Sequence, residues 1–168
     1  MSNETDRMIP EDVDLNSLRS QIEADSVAIN KLGLEYPSLE PELVDVSRHA
    51  SESGFGKTAF VLLDHTPNGA AATRDVAQEL LNTTDFETII VRTPGSGAIV
   101  SHDYSRAQIE AAQYDFFANP EIASGAREFV DTLNTQQYPW MYINIAIAVA
   151  LLLAILVSAY FARSSTHA

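Results

Sequence analysis

Leu15, Leu18, Ile22, Ala24, Val27, Ile29 and Leu32 recur at roughly helical intervals, and Asp14 stands where a helix N-cap belongs. The pattern predicts a first helix from Asp14 to about Gly33. Gly33-Leu34-Glu35-Tyr36-Pro37 breaks it, and Pro41 suits the first turn of a second helix that ends near Ser53, ahead of Gly54 and Gly56. The apolar run at 58–63 has no alternation, which predicts a strand covered by helices on both faces. His65-Thr66-Pro67-Asn68-Gly69 turns the chain into a helix over 70–81, with Ala72, Val76, Ala77, Leu80 and Leu81 on its apolar side. Strands over 87–92 and 98–100 flank Pro94-Gly95-Ser96-Gly97 and predict a hairpin. The strands over 58–63 and 87–92 pair in parallel through a right-handed crossover formed by the helix over 70–81. Ser105 and Gln108 have capping-box spacing for a helix over 106–118, with Asp103 as the other candidate cap. Pro120 opens a last helix that ends near Tyr138-Pro139.

From 143 to 161 the chain changes character, with nineteen residues and no charge. As a helix they reach roughly 28 Å, close to the hydrocarbon thickness of a bilayer. Tyr138, Trp140 and Tyr142 lie at one end and Tyr160 at the other, as interfacial rings do. The expected organisation is a flexible N-terminus at 1–13, an acidic α/β domain at 14–138, a transmembrane helix with interfacial flanks at 139–162, and a short tail at 163–168. Arg163 is the only Lys or Arg of that tail, and none occurs between Arg127 and Tyr142. The positive-inside bias therefore puts the tail in the cytoplasm and the acidic domain outside. The fold expected of the domain is a small three-layer α/β sandwich around a short, mostly parallel or mixed sheet.

Length and charge narrow the function. A chain of 168 residues holds one core and accessory elements rather than two ordinary domains. Ten Lys and Arg against 23 Asp and Glu leave a net charge of -13. That balance disfavours nucleic-acid binding, which needs a basic footprint on phosphates, and gives no electrostatic pull toward anionic lipid. The absence of cysteine excludes a disulfide, a thiolate nucleophile, an iron–sulfur cluster and Cys-ligated zinc.

Gly54-Phe55-Gly56-Lys57-Thr58 looks like the end of a phosphate-binding loop, but its glycines follow a helix and open a strand. A phosphate loop needs the reverse order, so no nucleotide is expected. Asp64 follows the first strand on the side where α/β folds gather ligands, and Asp75 and Asp103 lie near turns or helix starts. Oxygen ligands at Asp64, Asp75 and Asp103 suit a hard cation such as calcium; helix caps and solvated acids explain the same residues. His49, His65 and His102 are scattered without zinc spacing. Ser96, His65 and Asp64 supply the residue types of a hydrolytic triad, yet Pro94-Gly95-Ser96-Gly97 lacks the elbow spacing and reads as a turn. Arg106 and Glu110 are spaced for a helical surface pair.

Ile9-Pro10-Glu11-Asp12-Val13-Asp14, Thr73-Arg74-Asp75-Val76-Ala77, Val91-Arg92-Thr93-Pro94-Gly95 and the run from Ser101-His102-Asp103-Tyr104 to Glu110 together resemble a small membrane-protein family of mycobacteria and corynebacteria. Genes of that family adjoin genes for NlpC/P60-type peptidoglycan hydrolases, and its members look distantly like TPM domains. The resemblance implies a TPM-like domain, a place in the cell envelope, and partners among envelope or cell-wall hydrolase-associated proteins. It carries no active site across, although acidic loop residues of TPM domains sometimes bind calcium and some relatives have been proposed as phosphatases.

The function expected from residues and resemblance is a membrane-anchored, non-enzymatic accessory or scaffold near peptidoglycan turnover or division machinery. Its contact surface would be the loops at 64–69, 93–97 and 103–106, with lipid around the apolar segment and no nucleic acid, nucleotide or required cofactor. One alternative is a cation-dependent, phosphatase-like hydrolase using Asp64 and Asp103, with Arg92 or Arg106 against the phosphate. Another is a structural subunit of a membrane complex.

Overall fold

A computed structural model describes residue 10 and residues 12–69, 71–136, 145–153 and 155. The chain divides into two units, Met1–Thr135 and Gln136–Ala168. In the first unit, Asp14 accepts the Ser17 N–H at 3.0 Å and starts helix α1, Leu15–Asp25. Ser26 then takes a left-handed conformation, φ 74°, and ends it. The expected helix to Gly33 does not continue: Val27–Ile29 form a strand, β1. Asp25 accepts the Val27 N–H at 3.1 Å, and all three strand residues are buried. Burial of two β-branched side chains against a neighbouring strand outweighs the helical spacing they share with α1. Val13 is also buried, on the α1 side of the core.

The chain continues through a single-turn helix, α2 (Lys31–Glu35), and α3 (Leu39–Ser53). Gly54, at φ 85°, closes α3 with its N–H on the Ala50 and Ser51 carbonyls, a conformation that favours glycine. Strand β2 (Thr58–Leu62), helix α4 (Ala72–Thr83), strands β3 (Thr88–Arg92) and β4 (Gly97–Ser101), and helices α5 (Arg106–Ala118) and α6 (Ile122–Gln136) follow. Ser105 and Gln108 form the reciprocal capping box of α5.

The sheet runs β1-β2-β3-β4, with the first three strands parallel and β4 antiparallel to β3. Successive residues face opposite sides. Val27, Phe60, Leu62, Ile90 and Ile99 pack with α3, α5 and α6, and Ala28, Val61, Ile89, Val91 and Val100 pack with α1 and α4. Phe55 joins the first cluster by stacking on Tyr104 at 4.6 Å and meeting the edge of Phe129 at 6.3 Å. Both parallel crossovers step across the sheet in the same direction, yet α3 and α4 lie on opposite faces. The two connections therefore have opposite hands, and one departs from the right-handed rule. The reason is α1: it folds back on β1 and β2 and occupies the face that α3 would otherwise share with α4.

The expected transmembrane helix over 139–162 is corrected by the second unit. Among the described residues no helix is long and apolar enough to cross a membrane. Of that segment the described residues, 145–153 and 155, are helical. The rest of the expected span, its flanking rings at Tyr138, Trp140, Tyr142 and Tyr160, and the tail at 163–168 lie outside the described residues.

Candidate functional site

Parallel strands bring their following loops to one edge, and in this domain that edge holds a cleft. Asp64, just past β2, accepts the Lys31 N–H at 3.1 Å and so supplies the N-terminal acceptor that Asn30 does not provide to α2. Thr66 donates to the Thr93 hydroxyl at 3.0 Å and links the loop after β2 to the loop after β3. Thr93 itself holds Ser96 through its N–H, 2.9 Å from the Ser96 carbonyl, and through its hydroxyl.

Arg92, the last residue of β3, points to the face of α5. Its guanidinium donates to the carbonyls of Phe116, Phe117 and Asn119 at 3.0, 3.3 and 2.9 Å, and lies 5.2 Å from the Phe116 ring centroid. It is a side-chain cap for the C-terminus of α5. Burial lowers its pKa from the ordinary arginine value. Asn119 then accepts the Glu121 N–H at 2.9 Å and turns the chain into α6.

These contacts enclose a cavity of about 360 Å³ lined by Lys31, Leu62, Asp64, Arg92, Thr93 and Ile122. It shares Leu32, Pro120 and Ile122 with a second cleft of about 540 Å³ that reaches Tyr36, Leu39, Glu42 and Glu121. Tyr36, which lines this groove, is 59% exposed, and Leu34, on the short helix that Tyr36 caps, is 84% exposed. Glu35, Asp64, Glu42 and Glu121 make its rim acidic, against Lys31 and an Arg92 already held by three carbonyls.

The structure does not bring the three expected cation ligands together. Asp64 lies at the carboxyl edge of the parallel strands, and Asp75 in the first turn of α4. Asp103 follows β4, whose Ser101 pairs with Thr88 at the other end of β3 from Arg92. The length of β3, about 13 Å, separates the two edges. Among the described residues no group of three His, Asp or Glu side chains is arranged to hold a metal ion. The loops at 64–69 and 93–97 meet, while 103–106 belongs to the opposite edge.

The triad residue types are likewise committed elsewhere. His65 Nε2 lies 2.6 Å from Asp12, and Ser96 is held by Thr93. His49 pairs with Asp131 at 2.6 Å, joining α3 to α6. In the glycine loop, the Lys57 N–H is accepted by Glu87 at 2.6 Å, and Lys57 Nζ lies over the Phe86 ring at 5.0 Å. That amide thus faces a carboxylate. Arg106 Nε donates to Glu110 at 2.6 Å, and this bond raises the Arg106 pKa. Sequence reasoning missed Leu34 and Tyr36, whose signal was two large apolar side chains inside a helix-breaking segment.

The family model described as membrane protein Rv1476 matches residues 8–168. The chain belongs to the Rv1476 membrane protein family. Within it, membrane protein Rv1476 of Mycobacterium tuberculosis (strain ATCC 25618 / H37Rv) is 30% identical over 155 residues, 92% of this chain and 77% of the relative. No solved structure matches the chain. The mycobacterial membrane-protein likeness read from the motifs therefore holds at the level of the Rv1476 family.

Proposed function

We propose that this member of the Rv1476 family is a membrane-associated, non-enzymatic accessory protein that holds an envelope protein in the groove at the carboxyl edge of its sheet. The observation that carries this reading is the exposure of Tyr36 in an acid-rimmed cleft. An apolar surface with a polar rim suits a protein partner. The acidic rim, on a chain of charge -13, favours a partner segment whose apolar anchors are flanked by Lys or Arg. Membrane association is supported by the family and by the run at 145–155, where the described large apolar side chains are 53–68% exposed. Partners among proteins of peptidoglycan turnover or division, and a distant likeness to TPM modules, belong to this reading as expectations of the resemblance. Local concentration at the membrane would make a weak groove affinity sufficient.

The test is photo-crosslinking in cells of the full chain with benzoylphenylalanine at position 36. The reading expects covalent capture of one envelope protein, reduced by Glu42→Lys with Glu121→Lys. Capture no greater than from the same group at Tyr114, exposed on α5, would reject it.

A further inference from the structure

The edge of the sheet at β4 offers a second, separate surface. Residue pairs Thr93–Ser96 and Glu87–His102 bracket the β3–β4 ladder with backbone hydrogen bonds, each 2.9 Å, given by Thr93 and His102. Antiparallel pairs alternate, so Ala98 and Val100 direct their N–H and C=O groups at β3. Gly97, Ile99 and Ser101 direct theirs away from the sheet. Those outward backbone groups have no partner among the described residues.

Sheet edges are ordinarily guarded by charge, proline, a bulge or brevity. The other edge strand, β1, is three residues long. By contrast β4 is Gly-Ala-Ile-Val-Ser, five residues without charge or proline. It forms the floor of a cleft of about 210 Å³, walled by Arg74 and Gln78 of α4 on one side and by Arg106, Ile109, Glu110 and Gln113 of α5 on the other. Both helices overhang the strand. A second copy of this domain would bring its own two overhanging helices against them, a clash that a single extended segment does not make.

We propose that β4 accepts an extended segment of a partner polypeptide as a fifth strand, paired to the outward backbone groups of Gly97, Ile99 and Ser101. Side chains of an added strand alternate between the two walls. On the α5 wall Arg106 is already neutralised by Glu110 at 2.6 Å, and Ile109 offers apolar contact. On the α4 wall Arg74 makes no ion pair among the described residues. The segment therefore carries carboxylate side chains on one face and small apolar ones on the other. This surface is independent of the groove that Tyr36 lines.

The experiment uses the full chain, isotope-labelled in detergent micelles, and a short synthetic peptide of alternating Glu and Val. Hydrogen exchange at Gly97, Ile99 and Ser101 is expected to slow at least about tenfold on addition of peptide, while Ala98 and Val100, already bonded to β3, stay unchanged. N-methyl groups on one alternate set of peptide amides abolish binding, and on the other set do not. A Lys and Val peptide binds about fivefold more weakly, and Arg74→Glu reverses that preference. Unchanged exchange at the three outward amides with millimolar peptide would overturn the proposal. So would their protection in peptide-free protein that sediments as a dimer, since a second copy would then hold the edge.

Discussion

Replacing Arg92 by Met keeps the length of the side chain's apolar stem and removes every donor. The lost contacts are the bonds of 3.0, 3.3 and 2.9 Å to Phe116, Phe117 and Asn119, together with the cation 5.2 Å from the Phe116 ring centroid. A hydrogen bond from a charged donor contributes about 1.5–3 kcal/mol by itself. Three that share one half-buried guanidinium do not add, because water reaches the same carbonyls once it is gone. A cation at a helix C-terminus contributes about 0.3–1 kcal/mol more. The expected loss is about 2–3 kcal/mol, or about 6–9 °C in Tm for a domain of this size. Urea unfolding followed by circular dichroism measures it, with an unchanged m-value showing that stability and not compactness moved. Arg92→Lys recovers less than half, since a compact ammonium lacks the planar fork that reaches three acceptors. A Met variant within about 0.5 kcal/mol of the parent, or a Lys variant equal to it, would refute the capping role.

Gly97→Ala destabilises by about 2–3 kcal/mol, because its Cβ would enter the Phe117 ring and lie 2.8 Å from the Val91 carbonyl; chemical denaturation reads this directly. Asp64→Ala removes the acceptor for the Lys31 N–H, costs about 0.5–1 kcal/mol, and speeds hydrogen exchange in α2. Millimolar calcium raises Tm by less than about 1 °C in the full chain, the result expected when Asp64 and Asp103 occupy opposite edges; a rise above about 3 °C contradicts that geometry. Ser105→Ala removes the hydroxyl that accepts the Gln108 N–H, leaves the backbone half of the α5 capping box in place, and lowers stability by about 1 kcal/mol in the same urea assay.

Local chemistry was the most legible part of the fold. Asp14, Gly54 and the Ser105–Gln108 pair act within a few residues of themselves, so spacing alone located three helix ends. The parallel pairing of β2 with β3 and the hairpin to β4 followed from buried apolar runs and a turn between them. Strand β1 was hidden because Val27 and Ile29 continue the apolar spacing of α1, and only pairing with Phe60 and Leu62 gives them another conformation. The separation of Asp64 from Asp103 was implicit in the expected hairpin, which carries the chain back along β3 before Asp103 is reached. Arg92 was out of reach of such reasoning. Its partners are carbonyls at 116, 117 and 119, and no side-chain type there announces an acceptor. Leu34 and Tyr36 looked like parts of a break between helices because α2 is only five residues long.

The packing of α1 on a strand made after it also sets an order of events at the ribosome. Helix α1 leaves the exit tunnel first, but the surface it covers includes Ala59 and Val61, which are synthesised only with β2. Until that strand emerges, Leu18 and Ile22 have an incomplete docking surface, and α3 meets an unfinished sheet. Helix α1 thus waits for strands made after it before its apolar side is covered.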